Sequence, residues 1–280
     1  MLNRPLPDLD AWTSYFKDAD IPVLPTTVEE IRLMREAEER SGAMDANTIA
    51  QGIAGDPLMT LKVLRYAASA KRPGSTASAE TVTEAIVLMG IGPFFREFDQ
   101  LTSLADHLRG QMNALLGLQR LVRRAHRAAK FALGFANHRM DADAAVIQEA
   151  ALVHDFAEML LWCHAPVLAE DIARIQVAQP HRRSAEVQLE VLGIDLGDLQ
   201  QALMSEWHLP DLLLAMSDHR HLLNHRNRVV ELAMRVARHS HQGWDDPQNQ
   251  VALDADFAEL SEVLTLSNAA ARRLALDLDT

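Results

Sequence analysis

Apolar residues along this chain recur at three- and four-residue spacings, the period of an α-helix, and no stretch sustains the strict alternation of a strand. Pro and Gly fall mostly between the periodic runs, where they punctuate rather than interrupt. A lead-in segment, LDAWTSYFKD, precedes a helix expected to begin at Thr26 or Thr27, because Thr27 and Glu30 have capping-box spacing. A short helix near 46–54 stops at Gly55, and Pro57 opens the next as a first-turn proline does. KRPGSTASAE reads as a loop, and TVTEAIVLM as a helix stopped by Gly90. Two long patterns cover 111–138 and 144–164, and shorter ones fit 165–178, 184–193, 195–207, 210–220 and 225–241. A last pair lies near 254–262 and 265–278, beyond the turn-rich break GWDDPQNQ at 243–250. The expectation is an all-α, multi-helix fold.

Composition narrows this picture. With 280 residues, 48% of them hydrophobic, the chain has material for one large core or two smaller ones. Leu, Ala, Val and Met carry the apolar content, which suits helix better than sheet. The net charge of −12 argues against general affinity for nucleic acid or membranes. Cys163 is the only cysteine, so an intrachain disulfide and a Cys-rich zinc site are both excluded. MLNRPLPDLDAW has no apolar signal core and no run is long enough to span a bilayer, so a cytoplasmic location is expected.

The candidate chemistry lies in two of the long patterns. His126 falls on the same helical face as Leu118, Val122, Ala125, Ala129 and Leu133. His154 falls on the face of Val146, Ala150, Val153, Ala157 and Leu161, with Asp155 about 100° around at its edge. Two inward imidazoles and a neighbouring carboxylate can hold a divalent metal between helices, and such a metal can activate water against a phosphoester. The same residues can equally form a metal-free pair of core histidines bonded to Asp155.

Three stretches, IPVLPTTVEEIRLM, NTIAQGIAGDPLMTLKVLRYAASA and TVTEAIVLMGIGPFF, resemble the opening of an HDOD domain. GDPLMTLKVLRYA, at 55–67, is the most specific piece, although Ala68 stands where the family usually has Asn. The resemblance covers roughly 20–240 and implies an all-helical domain in bacterial signalling, from a degenerate branch of the HD metal-dependent phosphohydrolases. It divides the chain into a helical lead-in 1–19, a domain 20–242 and a C-terminal helical extension 243–280. It also matches His126 to the superfamily's first His and His154-Asp155 to its His-Asp pair. Catalytic members carry further groups that are replaced here. Ala157-Glu158 stands for Gly-Lys, Leu196 for a later His and Met234 for the final metal-binding Asp. A thioether is a poor ligand for hard divalent ions. Arg220 splits the later pair His219 and His221, and the Gly-Tyr-Pro of cyclic-dinucleotide phosphodiesterases does not follow.

Several other features carry weaker signals. Arg120, Arg123, Arg124, Arg127 and Lys130 share one side of their helix, in a stretch without acidic residues, and could meet phosphates or an acidic partner. The bland alternative is a solvated face, or one paired with the acid-rich stretch 141–220. His221 and His225 are one turn apart, a spacing open to a metal, though a surface cluster explains it as well. Trp207 should fill core space before Pro210 starts a helix, and Cys163 should be an inert core thiol. These readings converge on a regulatory module without turnover that binds a partner protein or small ligand. No cofactor is expected beyond, at most, a divalent metal. The alternatives are a phosphohydrolase acting on a nucleotide or cyclic dinucleotide, and a nucleic-acid-linked regulator using helix 120–130.

Overall fold

The computed structural model of the chain describes residues 1–70, 79–217 and 224–280, and the expected loop at 71–80 lies mostly outside them. In chain order the helices are α1 (Leu9–Lys17), α2 (Pro25–Ser41), α3 (Ala46–Ile53), α4 (Pro57–Ser69), α5 (Val82–Met89) and α6 (Ile91–Glu97). There follow α7 (Leu104–His107), α8 (Met112–His138), α9 (Ala144–Val153), α10 (Phe156–His164), α11 (Pro166–Ala178) and α12 (Ser184–Leu192). The last five are α13 (Leu196–Glu206), α14 (Asp211–Met216), α15 (His225–His239), α16 (Gln250–Leu264) and α17 (Asn268–Leu278). Among the described residues the only extended pairing is an isolated parallel bridge, Val23 with Ser103.

The helices form two compact units, interleaved in the chain. One comprises Met1–Leu121 and Asp155–Pro210, the other Val122–His154 and Asp211–Thr280. The lead-in helix α1 packs on α13, burying Trp12 and Phe16, so it belongs to the first core. The extension helices α16 and α17 pack in series on α15, so they complete the second.

A buried carboxylate organises the start of the first unit. Asp56 caps α4, accepting from the amides of Leu58 and Met59 at 2.9 and 3.0 Å. Its other oxygen accepts from the Leu24 amide at 2.7 Å and the Thr27 hydroxyl at 2.8 Å. This corrects the expected capping box. Thr27 is buried inside α2 and spends its hydroxyl on Asp56, so the helix starts at Pro25 without a side-chain cap. Pro at the first turn needs no amide acceptor there. Pro57 and Gly90 do what the sequence suggested: Pro57 opens α4, and Gly90, with φ 83°, closes α5.

The second unit has a buried ionic core between α15 and α16. Asp256 is 0% exposed and meets Arg235 Nη2 at 2.5 Å and His239 Nδ1 at 2.6 Å. Arg235 also holds Glu259 at 2.8 Å, so the carboxylate is not left as a lone buried charge.

Candidate functional site

The His-Asp dipeptide does not lie within one long helix. The pattern expected over 144–164 is two helices, α9 and α10, with His154 and Asp155 at the break. His154 keeps helical torsions (φ −52°, ψ −39°), while Asp155 turns out (φ −101°, ψ 27°) and ends the ladder. No Gly or Pro marks the break, and the apolar period runs across it because burial continues through Val153, Phe156 and Ala157. His154 is buried, 6% exposed, as its helical face implies. His126 is only half-buried, although Ala125, Ala128 and Ala129 around it are in the core.

Among the described residues no group of three or more His, Cys, Asp or Glu side chains gathers that could hold a metal. Met234 is 1% exposed on the buried face of α15, and Leu196 is buried in the first turn of α13. Both serve apolar cores.

The basic stripe of α8 is divided. Arg120, Arg123 and Lys130 are exposed and Arg124 and Arg127 half-buried. Arg127 donates from Nε and Nη2 to the two carboxylate oxygens of Asp279, each at 2.8 Å, and from Nη2 also to the Ser240 hydroxyl at 2.8 Å. Its guanidinium lies 5.6 Å from the Phe131 ring centroid and 5.9 Å from that of Trp244. Lys130 Nζ reaches the backbone oxygen of Thr280 at 2.9 Å. One turn further on, a Cβ at Gly134 would sit 2.3 Å from a Leu278 methyl, so the glycine admits α17. Arg127, Lys130 and Gly134 therefore form a seat for the end of α17.

His219 and His221 lie outside the described residues. His225 opens α15 and its Nε2 stands 2.9 Å from an Asp141 oxygen, with Arg226 alongside. Burial pushes the Asp141 carboxyl up, but the Asp143 amide, His225 and Arg226 outweigh it and hold it below the ordinary carboxylate range. These contacts tie α15 to the segment before α9.

The remaining expectations fall in the first unit. Trp207 is buried at the end of α13, donates to the Lys17 carbonyl at 3.1 Å and lies under Arg65. Cys163 is fully buried and its thiol pKa is pushed up by that burial, which makes it unreactive. Asp56, the most connected polar residue of this unit, is not flagged by its composition. Its one signal is the Asp-Pro pair ahead of an apolar run, a cap followed by a first-turn proline.

No curated protein sequence matches the chain significantly. Solved structures that share the fold include two that align over nearly all of this chain. The MmoQ response regulator of Methylococcus capsulatus is 17% identical, with a TM-score of 0.63, over 92% of this chain and 99% of that one. A virulence factor of Campylobacter jejuni is 18% identical, with a TM-score of 0.64, over 97% of this chain and 98% of that one. No described helix is long and apolar enough to cross a membrane. The model of the HDOD domain matches residues 21–223, most of the chain, and the chain belongs to that family.

Proposed function

We propose that this chain is a signalling module that recognises a partner and carries out no turnover. The observation that supports this reading best is the replacement of ligand positions by core packing. Met234 and Leu196 are buried in apolar cores, and among the described residues no group of three or more His, Cys, Asp or Glu gathers that could hold a metal. Losing an anionic ligand weakens the metal and removes an orienting contact for its water, so affinity and rate fall together. The reading includes a bacterial, cytoplasmic setting and a protein or small-molecule partner. The nucleic-acid alternative is disfavoured because Arg127 and Lys130 are committed to Asp279 and Thr280.

The test is hydrolysis of nucleotides, cyclic dinucleotides and a chromogenic phosphodiester with Mn, Mg, Ni or Fe supplied. The expected result is no rate above background, and Met234→Asp should restore no turnover, since a single carboxylate does not rebuild the pocket. Robust hydrolysis by the unmodified protein, abolished by His154→Ala, would overturn the proposal.

A further inference from the structure

Within the first unit a groove of about 340 Å³ opens between the start of α8 and the outer face of α11. Its walls follow helical spacing. Asn113, Leu116 and Arg120 line one side at intervals of three and four residues, and Val167, Glu170 and Arg174 line the other in the same way. Trp162 lies between them, nearly buried, as a floor. Gly117 makes that floor possible, since a Cβ there would lie 2.5 Å from the indole ring.

Two properties mark the groove as unfinished. Leu116 and Val167 are 45% and 48% exposed, so the rim above the indole presents apolar side chains to water. The walls also carry opposite charge. Arg120 on α8 and Glu170 on α11 have no ion-pair partner among the described residues, whereas the neighbouring Asp171 and Arg174 pair with each other at 2.6 Å. An apolar floor between two parallel lines of side chains is the geometry that receives an amphipathic helix. Opposite unpaired charges on the walls fix which way its flanks must face.

We infer that this groove docks an amphipathic helix of a partner protein, with apolar residues at three- and four-residue spacing against Trp162, acidic residues facing Arg120 and basic residues facing Glu170. The inference rests on the partner-binding reading above and gives it a site.

The probe is a fluorescent synthetic helix about three turns long, with a leucine stripe, a Glu flank and a Lys flank, compared with the same composition scrambled. Anisotropy with the full chain should show saturable binding of the first and none of the second. Leu116→Glu and Val167→Glu, each at an exposed position, should weaken it at least about tenfold with unchanged circular dichroism. Arg120→Glu combined with Glu170→Lys should turn the preference toward a peptide with its flanks exchanged. Equal binding of designed and scrambled peptides, or variants without effect, would overturn the inference. So would sedimentation showing a dimer that Val167→Glu dissolves, which would make the occupant a second copy. These failures leave the absence of hydrolysis untouched, and hydrolysis overturns the functional reading whatever the peptide does.

Discussion

Replacing Asp56 by Ala should be among the most damaging single changes in the first unit. The carboxylate serves four donors: the amides of Leu24, Leu58 and Met59 and the hydroxyl of Thr27. Alanine leaves all four without it. Thr27 can turn its hydroxyl elsewhere, but the amides cannot move without unwinding α4 or shifting the start of α2. A lost helix cap costs roughly 1 kcal/mol, and each buried amide left unsatisfied about 1–3 kcal/mol. Relief from burying a charge offsets part of this, since burial alone pushes the Asp56 carboxyl above its ordinary pKa. A net loss of about 3 kcal/mol follows, a large share of a typical total stability of about 5–15 kcal/mol. Asp56→Asn should fall between. Its oxygen can still cap Leu58 and Met59, but its amide group confronts the Leu24 N–H as a second donor. Urea denaturation followed by circular dichroism and tryptophan fluorescence measures both. An Ala variant costing under about 1 kcal/mol, or an Asn variant worse than Ala, would refute the reasoning.

Three further outcomes are expected. Gly134→Val should destabilise by about 1–3 kcal/mol through overpacking against Leu278. Adding Leu278→Ala should recover most of it, and a double-mutant cycle in thermal unfolding checks the coupling. Arg127→Gln should loosen α17 by removing two charge-assisted bonds to Asp279, about 1.5–3 kcal/mol in all. Faster limited proteolysis within 243–280 is the readout, and Asp279→Asn should reproduce it. Stability should also fall on acidification near neutrality. His164 has its pKa lowered from 6.5, first by burial, with a bond to the Asp20 backbone oxygen opposing and His107 adding to it. The folded state thus disfavours the proton. The contribution is complete above 6.5 and is lost as the pH falls from there through the folded value. His164→Gln should flatten that part of the stability–pH curve.

What was legible in the sequence was what local period and punctuation determine. The helices around Gly55, Pro57 and Gly90 fall where those residues place them. Four things were hidden, each for a physical reason. Thr27 and Glu30 spell a capping box, but a buried Asp56 29 residues away competes for the hydroxyl and wins. Burial on both sides of His154-Asp155 kept the apolar period unbroken through a backbone turn. Arg127 of α8 looked solvated because its partner, Asp279, lies 152 residues on, and no local pattern reports a contact that distant. Helices α6 and α7 were missed because seven and four residues are too short to show a period.

The turn at His154 and Asp155 bears on how the protein opens transiently. A continuous helix through 144–164 would share one hydrogen-bond ladder, and its amides would exchange with solvent as a graded series. With the ladder ended at Asp155, α9 and α10 can open separately, each with the compact unit to which it belongs. Amide exchange should therefore step between two protection levels within a residue or two of the dipeptide. Its sharpest physical signature would then be a discontinuity in time, a seam between two cooperative units.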